Sequence, residues 1–216
     1  AVVTVSVPEA TPVNLWAPMT SGSYADLSGV WGRSATDVIA VGNSGTILHY
    51  DGTRWTVLTS GTGTGLRGVW GTSGTDVFAV GDGGVILHYD GTNWTVMASG
   101  TGVSLGGVWG TSSTNVFAVG DGGTILRYDG TRWSTLASGT TQTLQGVWGS
   151  SRADVFAVGD GGTILHFDGA AWSAMVSGTG LALRGVWGTA ASDVWVAAGQ
   201  NGVLLRYDGS SWSVLT

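Results

Sequence analysis

LRGVWGTSGTDVFAVGDGGVILHYDGTNWTVMASGTGVS, residues 66–104, decides the fold. Its apolar residues recur with a period of two, as in DVFAVG and VILHYDG, and β-branched and aromatic side chains dominate these short runs. Glycine-rich turns divide the stretch into four strands, and no helical period is present. In the unit running from Leu144 to Gly178 the same division gives LQGVWGS, DVFAVG, TILHFDG and WSAMVSG.

The stretch is one of five copies. The tryptophan of GVWG falls at Trp31, Trp70, Trp109, Trp148 and Trp187, four steps of 39 residues. A second series runs Trp55, Trp94, Trp133, Trp172 and Trp212, its last step lengthened to 40 by the extra residue in VWVAAGQNG. The units therefore begin near Leu27, Leu66, Leu105, Leu144 and Leu183. A unit this small cannot bury both faces of its own sheet, so it must stack on its copies. Four-stranded blades around an axis satisfy that requirement. The expected fold is all-β: a five-bladed β-propeller of four-stranded antiparallel blades. Two adjacent units, counted from Trp70 and Trp109, share 27 of 39 residues. Recurrence here reflects recent amplification as well as physical need.

Composition supports a packed domain. The 216 residues include 39 Gly but only 3 Pro, and 43% are apolar, too many for a disordered low-complexity segment. There is no Cys, which removes disulfides and thiol chemistry. All eight basic residues are Arg, spread one or two per unit, against thirteen Asp and one Glu, for a net charge of −6. Without a basic stripe, nucleic acid and anionic lipid are not expected partners. Residues 1–11 read as a tail or linker remnant of something longer, and residues 12–216 as one propeller domain. The expected setting is extracellular, periplasmic or at a cell surface.

The order of features resembles WD-repeat blades, with DGG between the second and third strands, although the Gly-His and Trp-Asp pairs of that family are missing. The DGTxW hairpin at Asp90 to Trp94 resembles a shortened Asp-box of the bacterial neuraminidase repeat, without its leading Ser. Both resemblances imply the propeller architecture and transfer no functional residue.

Trp16 precedes Trp31 by 15 residues, as Trp55 precedes Trp70, so residues 13–21 match a fourth strand and predict an extra N-terminal strand. That strand and SSWSVLT compete to close the ring. The expectation is a closed monomer, with a strand-exchanged or open-arc oligomer as the alternative.

Asn43, Asp82, Asp121, Asp160 and Gln200 occupy equivalent turn positions and would form a ring on one face. They are candidates for accepting hydrogen bonds from a ligand, and the competing reading makes them tight turns where Asp and Gly tolerate positive φ. A phosphate loop is excluded because no helix follows and no Lys exists. Arg67 and Arg184, in the variable stretch after SGT, complete the candidate ligand-binding set; Gly106 and Gln145 hold the matching positions. The DG aspartates, Asp51, Asp90, Asp129, Asp168 and Asp208, are hairpin signals that lack the ligand density of a calcium site. His49, His88 and His166 exchange with Arg127 and Arg206 at one strand position, which argues against metal ligation. The periodic tryptophans are expected between blades, each N–H meeting a backbone carbonyl.

These residues lack the acid, base and nucleophile of an enzyme, and no cofactor or metal is expected. Two functions stay open: a non-catalytic recognition propeller binding glycans at quasi-equivalent sites, and a structural or protein-interaction scaffold without a small-molecule ligand. A carbohydrate or a protein is thus the expected partner.

Overall fold

The computed structural model describes residues 18–215. The first unit folds as β1 (Leu27–Ser34), β2 (Asp37–Gly42), β3 (Ile47–Tyr50) and β4 (Trp55–Leu58), hydrogen-bonded in that order as an antiparallel sheet. The second comprises β5 (Leu66–Ser73), β6 (Asp76–Gly81), β7 (Ile86–Tyr89) and β8 (Trp94–Met97). The third comprises β9 (Leu105–Ser112), β10 (Asn115–Gly120), β11 (Ile125–Tyr128) and β12 (Trp133–Leu136). The fourth comprises β13 (Leu144–Ser151), β14 (Asp154–Gly159), β15 (Ile164–Phe167) and β16 (Trp172–Met175). The fifth comprises β17 (Leu183–Ala190), β18 (Asp193–Ala198), β19 (Leu204–Tyr207) and β20 (Trp212–Leu215). These are five separate four-stranded sheets, the blades of an all-β propeller.

In the three middle blades the second strand is apolar on both faces because its sheet is packed from both sides. In β6, Val77 and Ala79 turn toward blade one, whereas Phe78 and Val80 turn toward blade three, and all four are buried. Strict alternation thus serves two cores at once. The inner strands β1, β5, β9, β13 and β17 pack successively alongside one another, placing the axis at their edge.

Between blades the two tryptophan series do different work. The inner-strand ring of one blade lies over a glycine of the next. A Cβ added at Gly71, Gly110, Gly149 or Gly188 would stand 3.0, 2.9, 2.8 or 2.6 Å from the ring of Trp31, Trp70, Trp109 or Trp148. The outer-strand ring packs the other way. Trp133 meets Phe78 of the preceding blade edge-on, with centroids 6.3 Å apart and planes at 80°, and Trp172 and Trp212 meet Phe117 and Phe156 likewise. The expected N–H bonds are not made in this outer series. The indole nitrogens of Trp94, Trp133, Trp172 and Trp212 are buried without a hydrogen-bond partner among the described residues. Ring packing sets their orientation: Trp133 is also held against Tyr128 at 5.3 Å, leaving no freedom to turn the N–H toward a carbonyl.

The expected ring closure is not formed between blades five and one. Four apolar cores join successive blades, and the atoms nearest a Cβ at Gly32, the counterpart of Gly71, are those of Val38 and Asp37 of its own blade rather than an indole ring. Among the described residues no apolar core joins blade five to blade one. The arc is open. Most of the expected N-terminal strand, residues 13–21, lies outside the described residues, and residues 18–21 carry no strand.

Two substitution pairs test this packing. Gly149→Ala drives a methyl into the Trp109 ring and should cost about 1–3 kcal/mol by denaturant midpoint. Gly32→Ala, at the open end, should cost measurably less. Trp133→Ala should cost about 3–5 kcal/mol. Trp133→Phe should cost less than half of that, because no indole hydrogen bond is lost with it.

Candidate functional site

The residue following each inner-strand leucine faces the axis, and its identity changes from blade to blade: Ser28, Arg67, Gly106, Gln145, Arg184. These five, with Asn43 and Asp82, line an axial pocket of about 400 Å3. Repetition of the scaffold therefore places one residue from each blade, of four different types, at one cavity. Arg67 Nε donates to Asp82 Oδ1 at 2.5 Å, a half-exposed pair that engages this guanidinium. Arg184 is held more loosely: its Nη1 lies 3.7 Å from Asp160 Oδ1 of the preceding blade, too long for a hydrogen bond. Asn43 donates from Nδ2 to Asp26 at 3.3 Å.

Of the seven residues expected at a site, the structure brings Asn43, Asp82, Arg67 and Arg184 together, with Asp160 behind Arg184. Asp121 and Gln200 are not in the lining. The equivalent turns do not converge on one cavity because each is first a turn. Asp82–Gly84, Asp121–Gly123 and Asp160–Gly162 are single 3-10 turns; in the first, Val85 N–H returns to the Asp82 carbonyl at 3.2 Å. Gly84 has φ +74° and its Cβ would stand 2.3 Å from the Thr101 carbonyl, so only glycine fits. Ser28, Gly106 and Gln145 are lining residues outside the expected set. Their signal was the series itself, the position where otherwise similar units disagree.

The His/Arg exchange has a local explanation. His88 Nε2 pairs with Asp76 Oδ1 at 2.7 Å, as His166 does with Asp154 at 2.7 Å and His49 with Asp37 at 2.9 Å. In blade three both partners change: Arg127 donates to Asn115 Oδ1 from Nε at 3.0 Å and from Nη2 at 2.7 Å. Either side chain also lies against the phenylalanine beside it, His88 at 4.5 Å from the Phe78 ring and Arg127 at 5.4 Å from the Phe117 ring. Thr72 donates to Asp76, so the chain of bonds is Thr to Asp and His to Asp. The hydroxyl does not contact the imidazole, and this is not the nucleophile–base–carboxylate order of a hydrolase. Among the described residues no three His, Asp or Glu side chains are grouped as a metal site.

Five antiparallel blades around a polar axial pocket define a β-propeller similar to WD-repeat proteins. No protein-family profile and no curated protein matches the chain. Among solved structures, it is similar to YCF48 bound to D1 peptide, with 19% identity, a TM-score of 0.73, and coverage of 95% of this chain and 74% of that one. It is also similar to the WD40 repeats of RRP9, with 9% identity, a TM-score of 0.75, and coverage of 88% and 62% respectively.

The DG hairpins carry the chain's most perturbed carboxyls. Asp129 Oδ1 accepts from Thr131 Oγ1 at 2.6 Å and from the N–H groups of Thr131 and Arg132 at 2.8 and 2.9 Å, and Asp51 and Asp208 repeat the arrangement. The hydroxyl and backbone donors at these three sites lower the carboxyl from 3.8 to about 2. At Asp90 and Asp168 it shifts in the same direction, chiefly through backbone donors with a smaller contribution from His88 and His166. A depressed folded-state pKa gives stability that is complete above the unfolded value near 4 and is lost as pH falls through about 2. The urea midpoint should therefore fall between about pH 4 and 2, and replacing the five aspartates with Asn should flatten that decline. An unchanged slope in the variant would assign the acid sensitivity elsewhere.

Proposed function

We propose that this chain is a non-catalytic recognition propeller that binds an extended segment of a partner protein at its axial pocket. The observation that carries the reading is the pocket lining: one residue from each blade, drawn from the position at which the units differ. A uniform scaffold with a non-uniform centre suits an asymmetric ligand. The lining offers amide, hydroxyl and guanidinium donors beside the Asp82 carboxylate, matching the mixed donors and acceptors of a peptide backbone. Arg184, the less engaged of the two arginines, is the group available to a ligand carboxylate.

The protein-interaction reading is preferred over glycan binding on physical grounds. Sugar sites typically set an aromatic platform beside their polar groups, and the axial lining contains no aromatic side chain. Trp94 and Trp133 are buried between blades, and the solved YCF48 structure, similar in fold, is bound to a peptide.

A peptide-display selection against the chain, with a glycan array in parallel, tests this. Selected peptides should lose at least tenfold in affinity against Arg184→Ala. They should also lose affinity against Gly106→Tyr, which fills the pocket from a position where a Cβ meets nothing nearer than 3.4 Å. Peptides indifferent to both substitutions, or glycans sensitive to them, would overturn the reading.

A further inference from the structure

Four times within the arc, the forward face of one blade meets the rear face of the next, and each face has a fixed composition. The forward face presents the inner-strand tryptophan as a knob; the rear face presents a leucine, a valine and the glycine that receives the ring. At the ends, one copy of each face has no such partner among the described residues. On blade five Trp187 is 61% exposed, with Leu204 at 44% and Leu215 at 42%. On blade one Val30 is 70% exposed and Leu27 45%, whereas Val108 and Leu105, their counterparts in blade three, are 8% and 0%. Leu27, Val30, Ala40 and Trp55 line an apolar pocket of about 280 Å3 on this rear face.

We infer that these two faces are the halves of an interface between copies of this chain, with Trp187 of one copy set over Gly32 and against Val30 of the next. The complementarity is already demonstrated inside the molecule, where Trp148 sits over Gly188 and where Trp70 over Gly110 and Trp109 over Gly149 repeat the match. Large exposed apolar faces are costly in water, and the residues that cover their equivalents are those of another blade. The contact is heterologous: using the forward face of one copy leaves its rear face open. Two copies joined at one contact begin an open series.

Sedimentation velocity and light scattering from about 1 to 500 µM test this. The expected result is a mass above one chain that climbs with concentration, as an open series does. Trp187→Arg and Val30→Arg should each sediment as a monomer, with far-UV dichroism and melting unchanged because both positions are exposed. Mixed in equal amounts, the two variants should form a dimer and stop there, since one retains only the rear face and the other only the forward face. A wild-type monomer throughout the range would overturn the proposal. So would assembly that survives either substitution, or a mixture that stays monomeric. The peptide-binding reading is separate from this outcome, because Arg184→Ala changes neither end face.

Discussion

The structure depends on one repeated contact, an indole ring laid over a backbone too close for any side chain. Glycine at positions 71, 110, 149 and 188 lets each inner-strand tryptophan approach within van der Waals distance of the neighbouring sheet. The large ring on one side and the missing side chain on the other set both the spacing and the wedge between blades. Aromatic rings contribute large apolar area with few rotatable bonds, so a fixed angle comes at little entropic cost. The outer-strand series adds edge-to-face contacts to phenylalanine at the same interfaces, running in the opposite direction along the arc. Each blade is therefore keyed to both neighbours by different rings. That is why two tryptophan series are needed rather than one.

Much of this was legible in the residues. The period of two in DVFAVG, the Gly-punctuated turns and the paired 39-residue tryptophan series specify four short strands per unit and five stacked units. The DGG and DG signals each correspond to a turn with positive φ, at Gly84 and Gly91 among others. Closure was not legible, because curvature is the sum of small wedge angles that depend on ring orientation at each interface, and no residue count encodes them. The indole N–H groups were misjudged for a related reason. Packing against Phe and Tyr fixed the outer rings before any hydrogen bond was available to them.

The axial pocket was half legible. Arg67 and Arg184 stood out as charges, whereas Ser28, Gly106 and Gln145 look unremarkable in isolation and gain meaning only as one series. The acidic turn positions had drawn attention by their recurrence, and recurrence in recently amplified units is a poor guide to ligand contact. Asp121 illustrates this: it keeps the turn geometry of Asp82 and Asp160 yet stands outside the pocket. What recurs holds the blades; what differs faces the axis.

The same division explains how the protein tolerates change at the His/Arg position. His88 with Asp76, and Arg127 with Asn115, make different bonds across the same pair of strands, each with its ring or guanidinium against phenylalanine. The bond joins strands within one blade, so a compensating pair of substitutions leaves the tryptophan–glycine contacts untouched, although Arg127 also lies 5.9 Å from the Phe167 ring of the next blade. Changes at the axis have the same freedom, since the residue after each leucine makes no part of the tryptophan–glycine contact. Changes in the contact itself have none, because the ring of one unit and the glycine of the next must be retained together at each of the four interfaces. Near-identity of the units is thus an expected property of the packing surfaces, and variation at Ser28, Arg67, Gly106, Gln145 and Arg184 is where such an arc acquires a specific ligand without altering its frame.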